Sequence, residues 1–131
     1  MAVILSIALE FTLKLSVLIP AYNESRSIAQ VLEKVLALPW PDLEIIAVDD
    51  GSTDDTSRII QSFQEREPRI TLVAQPTNRG KTAAIAVAIE KASGDILIVQ
   101  DADLEYDPDE ILDVIDPIVQ GKADVVYGSR F

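Results

Sequence analysis

The residues best suited to chemistry in this chain are carboxylates, and their spacing is regular. Asp101-Ala102-Asp103-Leu104-Glu105 places an acid at every second position. In extended backbone that alternation directs Asp101, Asp103 and Glu105 to one side, and like charges gathered on one side must be neutralised. A hard divalent cation, Mg2+ or Mn2+, does this through oxygen ligands, using one or two carboxylates completed by the phosphates of a ligand. Two further strings, Pro20-Ala21-Tyr22-Asn23-Glu24 and Asp49-Asp50-Gly51-Ser52, offer similar polar groups. Asn78-Arg79-Gly80-Lys81 brings cations: it reads either as a glycine turn before a helix or as a contact, through Lys81, with an anionic ligand. Taken alone, the acidic triplet also describes a solvated loop and helix cap.

Other chemistries fail on particular positions. The chain has no cysteine and no histidine, which removes thiol nucleophiles, imidazole bases, disulfides and the usual zinc shells. A calcium loop starting at Asp101 needs glycine at its sixth position and glutamate at its twelfth, where Tyr106 and Leu112 stand. Gly80-Lys81-Thr82 resembles the end of a P-loop, but the leading glycine is replaced by Gln75. A net charge of −11, from 11 basic and 22 acidic residues, repels a nucleic-acid backbone, so nucleic acid is not an expected partner. The same charge means that a phosphate ligand needs a cation beside it.

The elements that must position these residues follow from periodicity. Leu13 to Pro20 and Leu43 to Asp49 read as strands, the second an almost unbroken apolar run of the kind covered on both faces. Between them Ile28, Val31, Leu32, Val35 and Leu36 share one helix face, and Pro39 and Pro41 end that helix. A second helix follows Gly51-Ser52-Thr53, with Ser52 or Thr53 as its cap, Asp54 and Asp55 at its positive end, and Ile59, Ile60 and Phe63 buried. Ile70 to Ala74 is a third strand, Lys81 to Ala92 an alanine-rich helix, and Ile96 to Gln100 a fourth strand. Asp107-Pro108-Asp109-Glu110 starts another helix, which Pro117 should bend or end, and Asp124 to Tyr127 is a last strand. The order implies one α/β layered domain with a mostly parallel sheet and right-handed crossovers. Ligands of such sheets bind beyond the carboxyl ends of the strands, where the acidic strings fall.

Six strings occur in order between Leu13 and Phe131: Val17-Leu18-Ile19-Pro20-Ala21-Tyr22-Asn23-Glu24, Val48-Asp49-Asp50-Gly51-Ser52-Thr53-Asp54, Asn78-Arg79-Gly80, Gly94-Asp95, Asp101-Ala102-Asp103 and Gly128-Ser129-Arg130-Phe131. Together they resemble the family 2 glycosyltransferases, and within them the dolichyl- and polyprenyl-phosphate hexose synthases. The resemblance implies the GT-A fold, a Rossmann-like α/β three-layer sandwich, and inverting transfer from a UDP- or GDP-sugar. It implies that Pro20, Ala21, Tyr22, Glu24, Val48 and Asp50 surround the nucleoside, and that Asp101, Ala102 and Asp103 lie along ribose and diphosphate. Asp103, joined by Glu105, is the implied ligand of Mg2+ or Mn2+, Arg130 the residue facing a phosphate, and Asp103 and Arg130 the catalytic candidates.

A lipid-phosphate acceptor is already anionic and needs no general base, whereas a sugar hydroxyl does. The family's later half, which carries the acceptor machinery, does not follow within Phe131, so residues 13–131 are read as the nucleotide-sugar-binding part without an acceptor half. Residues 1–12 are read as an apolar extension. The alternatives are a module that binds nucleotide-sugar without transfer, and a transferase with a saccharide hydroxyl acceptor. The absence of an export signal or cysteines points to the cytoplasm, with membrane proximity by analogy alone, and an unpaired sheet edge to self-association.

Overall fold

The computed structural model describes residues 13–121. Strand β1, Leu15–Ala21, leads to helix α1, Ile28–Leu36, then β2, Leu43–Asp50, and α2, Thr56–Arg66. Strand β3, Ile70–Gln75, α3, Lys81–Lys91, and β4, Ile96–Val99, follow, and a 3-10 turn at Pro108–Glu110 runs into α4, Ile111–Val119. The extension at 1–12, the strand expected over 124–127 and Arg130 lie outside the described residues.

All four strands are parallel, in the order β3-β2-β1-β4. The chain winds from β1 outwards to β3, then crosses the sheet through α3 to start β4 on the other side of β1. That reversal between β1 and β4 is the place where loops diverge and a crevice opens. One core layer joins Leu15, Val17 and Ile19 of β1 to Ile28, Val31, Leu32 and Val35 of α1, Ile60 and Phe63 of α2, and Ile111 and Ile115 of α4. The opposite face carries Leu18, Ile46 and Val48 against Ala84 and Ala88 of α3. The result is the expected three-layer α/β sandwich. Alanines one turn apart on α3 let its backbone lie close to the sheet.

Strand β1 outruns β4: pairing ends at Leu18 with Val99, and the Gln100 N–H still reaches Leu18 O at 2.9 Å. Leu18 and Pro20 point their backbone groups to the same side, so the missing N–H of Pro20 falls where β4 has already stopped, which is where a strand proline is tolerated.

Several expected boundaries move. Helix α2 begins at Thr56, and neither Ser52 nor Thr53 caps it; the Asp54 carboxylate accepts the Thr56 N–H at 2.9 Å instead. Pro117 does not end α4, which continues to Val119; only its last turn has to accommodate the lost N–H. Asp107 does behave as expected, accepting the Asp109 N–H at 3.0 Å at the head of the 3-10 turn. Among the described residues no helix is long and apolar enough to cross a membrane.

Candidate functional site

At the carboxyl ends of β1, β2 and β4 lies a cleft of about 380 Å³. Its lining includes Tyr22 and Glu24 from the loop after β1, Asp50 from the end of β2, Lys81 from the start of α3, and Asp101, Asp103 and Glu105 from the loop after β4. Pro20, Asn78, Gly80, Ala84 and Ala102 complete it. Five acidic residues and one lysine therefore line the same space.

The loops are tied to one another by side chains. The Asn23 N–H donates to Ser52 Oγ at 2.9 Å, and Asn23 Oδ1 accepts the Thr53 N–H at 2.8 Å. The Glu24 N–H donates to Thr56 Oγ1 at 2.9 Å, and the Ser25 N–H to Asp54 at 3.2 Å. Asn23 holds a positive φ of 52° to make these contacts, a conformation asparagine tolerates better than most residues. On the other side the buried Asp50 carboxylate accepts the N–H groups of Arg79 at 2.8 Å and Gly80 at 2.9 Å. Gly51 makes that approach sterically feasible: at its φ of +73° a Cβ would lie 2.5 Å from Asn78 N. Gly80 sits at φ 99°, ψ 161°, a region open essentially to glycine.

The acidic triplet reaches the cleft by a different route from the alternation expected of it. Strand β4 stops at Val99, and residues 102–106 turn and bend. Leu104 adopts φ 64°, which breaks the extended pattern, and Asp103 Oδ1 accepts the Glu105 N–H at 2.9 Å. Buried Gln100 braces the turn by donating to Tyr106 O at 2.8 Å, and Ser27 Oγ donates to Ala102 O from the foot of α1. Asp101 pairs with Lys81, so the three acids are not equivalent. Among the described residues no cluster of three or more acidic side chains is placed to hold a metal ion by itself. Asp103 and Glu105 supply two exposed carboxylates instead. That donor set suits Mg2+ or Mn2+ held jointly with phosphate oxygens and water, rather than an all-protein cage.

A model of the glycosyl transferase family 2 matches residues 16–131. The chain belongs to this family. The family 2 domain is 33% identical over 120 residues to a dolichol-phosphate mannosyltransferase from Pyrococcus furiosus, covering 91% of this chain and 34% of the relative. It is 39% identical over 121 residues to an undecaprenyl-phosphate 4-deoxy-4-formamido-L-arabinose transferase from Photorhabdus laumondii, covering 89% of this chain and 37% of that protein. The chain thus spans about a third of the length of the curated relatives it matches. A mannosyltransferase structure from Pyrobaculum calidifontis, in complex with GDP-Man and Mn2+, superposes with a TM-score of 0.69 at 32% identity, over 76% of this chain and 30% of that one. The fold is that of the corresponding part of GT-A glycosyltransferases.

Within the family 2 domain the structure brings together Pro20, Tyr22, Glu24, Asp50, Lys81, Asp101, Ala102, Asp103 and Glu105. Ala21 and Val48 are buried, the first in the main core and the second between sheet and α3, so their side chains do not line the cleft. Gly94-Asp95 lies at the opposite edge of the sheet, where Asp95 accepts the Lys14 N–H at 2.8 Å and Gly94 donates to Ser16 Oγ at 2.8 Å. Thr56, Gln100 and Ser27, which hold the loops, have no assigned role in the sequence, and Asn23 appears there only as one member of a longer polar string. The one available signal was the density of Asn, Ser, Thr and Asp at strand ends.

The acids in the cleft act on one another. Burial raises the Glu24 carboxyl above its ordinary value, and the charges of Asp103, Asp54 and Asp101 add to that against a bond from Ser27. At Asp54 burial also pushes upward, but the hydroxyl and amide of Thr56 and the bonds from Ser25 outweigh it and hold the group at about 2, against an ordinary 3.8. A depressed value stabilises the fold above the unfolded-state pKa, and the benefit is lost as pH falls through the folded one. Melting temperature should therefore fall between pH 3.8 and about 2, and Asp54→Ala should flatten part of that fall. An unchanged acid profile in this variant would show that the loop staple contributes nothing.

Proposed function

We propose that this family 2 domain binds a UDP- or GDP-sugar together with Mg2+ or Mn2+, and that its reaction is inverting transfer of the hexose to a polyprenyl or dolichyl phosphate. The observation that carries the reading is the charge of the cleft, five carboxylates against one lysine at the β1/β4 reversal. A nucleoside diphosphate is repelled by such a lining unless a cation enters with it. The names of the relatives from Pyrococcus and Photorhabdus, and the GDP-Man and Mn2+ of the Pyrobaculum complex, support the donor and acceptor classes.

In this reading the half-exposed ring of Tyr22, beside Pro20, receives the nucleoside. Asp50 keeps the 78–80 loop in place beneath it, and Asp101 and Ala102 follow ribose and diphosphate. Asp103 and Glu105 hold the cation, which when bound compensates charge on the departing diphosphate. Arg130 orients the acceptor phosphate through its two-pronged donor geometry. The acceptor oxygen is anionic from the start, so none of these residues has to remove a proton.

Titration calorimetry tests the donor half: GDP or UDP should give heat with Mn2+ or Mg2+ and little with EDTA. Asp103→Ala should weaken metal-dependent binding about tenfold. No metal-dependent heat with either nucleotide, or an unchanged affinity in the variant, would sink the assignment. Radiolabelled hexose appearing on polyprenyl phosphate, and not on free saccharide, tests the acceptor half.

A further inference from the structure

Lys81 is the one cation that lines the cleft among the described residues, and it occupies an electrostatically unusual place. It is the first residue of α3, whose N-cap is Gly80 with no capping side chain. A helix start carries a partial positive charge, and lysine there is disfavoured relative to an acid or a capping residue. Half-exposed Lys81 nevertheless turns to Asp101, whose side chain is only one-fifth exposed. The remaining cleft acids have other arrangements: Asp50 is satisfied by two backbone N–H groups, and Asp103 accepts the Glu105 N–H.

Lys81 has two candidate anions, Asp101 and an entering diphosphate. Phosphate oxygens carry more charge than one carboxylate, and the uncapped N–H groups of the α3 first turn add to the pull at the same end. An ammonium on a flexible stem can change partner with little strain. Once it moves, Asp101 is left with an uncompensated charge beside Asp103 and Glu105, and the affinity of the cleft for a divalent ion rises. Nucleotide and cation are then coupled through one side chain.

Resting on the donor-site reading above, we propose that Lys81 is an exchangeable internal counter-ion. It serves Asp101 first and the donor diphosphate afterwards, and this makes cation binding conditional on the nucleotide. The consequence is a change of opposite sign in two affinities when Lys81 is neutralised. By linkage, an effector that shifts one ligand's affinity shifts the other by the same factor, so removing the exchange also reduces the coupling.

The test measures Mn2+ binding by electron paramagnetic resonance, with and without GDP or UDP, in wild type, Lys81→Gln and Lys81→Arg. Mn2+ alone should bind about fivefold tighter to Lys81→Gln than to wild type, while nucleotide in saturating Mn2+ should bind about tenfold weaker. Lys81→Arg, which keeps the charge, should stay near wild type in the first measurement. Both affinities falling together, or Mn2+ alone unchanged in Lys81→Gln, would overturn the exchange while leaving the donor site standing. Wild-type protein that binds no nucleotide with Mn2+ would remove the donor reading and the exchange with it. The variant's melting curve should match wild type, because the side chain is half exposed.

Discussion

Asp50→Ala is expected to lower stability by about 2–4 kcal/mol, since two backbone N–H groups lose a charged acceptor in a partly buried place. For a domain of this size that is a drop in melting temperature of roughly 10–20 °C. Asp50 is 3% exposed, and its oxygens lie 2.8 Å from Arg79 N and 2.9 Å from Gly80 N. Among the described residues no other side chain is hydrogen-bonded to the backbone of residues 78–80, and Gly80 and Lys81 both line the cleft. Nucleotide affinity should therefore fall with stability, even at temperatures where the variant is fully folded. Asp50→Asn keeps one acceptor oxygen and should retain part of both. A variant that melts with wild type, or binds nucleotide equally well when folded, would show that the clamp is dispensable.

Gly94→Ala should cost a similar amount, about 3 kcal/mol, by overpacking and the loss of a hydrogen bond, yet leave donor binding by the folded protein unchanged. A Cβ on Gly94 would sit 2.4 Å from Ser16 Oγ, 2.8 Å from Ser16 N and 3.0 Å from Lys14 O. Ser16 and Ser93 both donate to Glu44, which lies 3.8 Å from Lys14 Nζ. This network binds β1, β2 and the entry to β4 at the amino edge of the sheet, far along the strands from the cleft. Adding Ser16→Ala should rescue only partly, because the clash with Ser16 N is with backbone. Urea denaturation gives the stability change and calorimetry below the transition gives the affinity. A loss of affinity in proportion to Asp50→Ala would mean that the two edges are energetically coupled.

What was legible in the chain was what repeats along it. The apolar runs of β1 and β2 and the one-sided spacing from Ile28 to Leu36 announce themselves because burial imposes a period on neighbouring residues. Alternating strands and helices imply a parallel sheet, but the order that places β4 beside β1 is set by packing and is not written in that alternation. The illegible parts depend on residues distant in sequence. Gly51 is demanded by Asn78, Gly94 by Ser16, and the cap of α2 by the staple that draws Asp54 towards Ser25. The acidic residues do not share the cleft through strand alternation: β4 ends at Val99, residues 102–106 turn and bend, and Leu104 takes a positive φ of 64°. Val48 and Ala21 stand inside motifs that the resemblance places around a nucleoside, and both side chains are buried in core packing.

The staples between the first two loops bear on how such a domain can be recombined. Asn23 is bonded to Ser52 and Thr53, and Glu24 to Thr56, so neither loop carries its own shape in full. A chimera that imports the loop after β1 from a relative while keeping the native loop after β2 breaks these partnerships at the junction. Exchange of donor preference between family members is therefore best attempted with both segments moved as one cassette, crossing over inside the strands rather than at their ends.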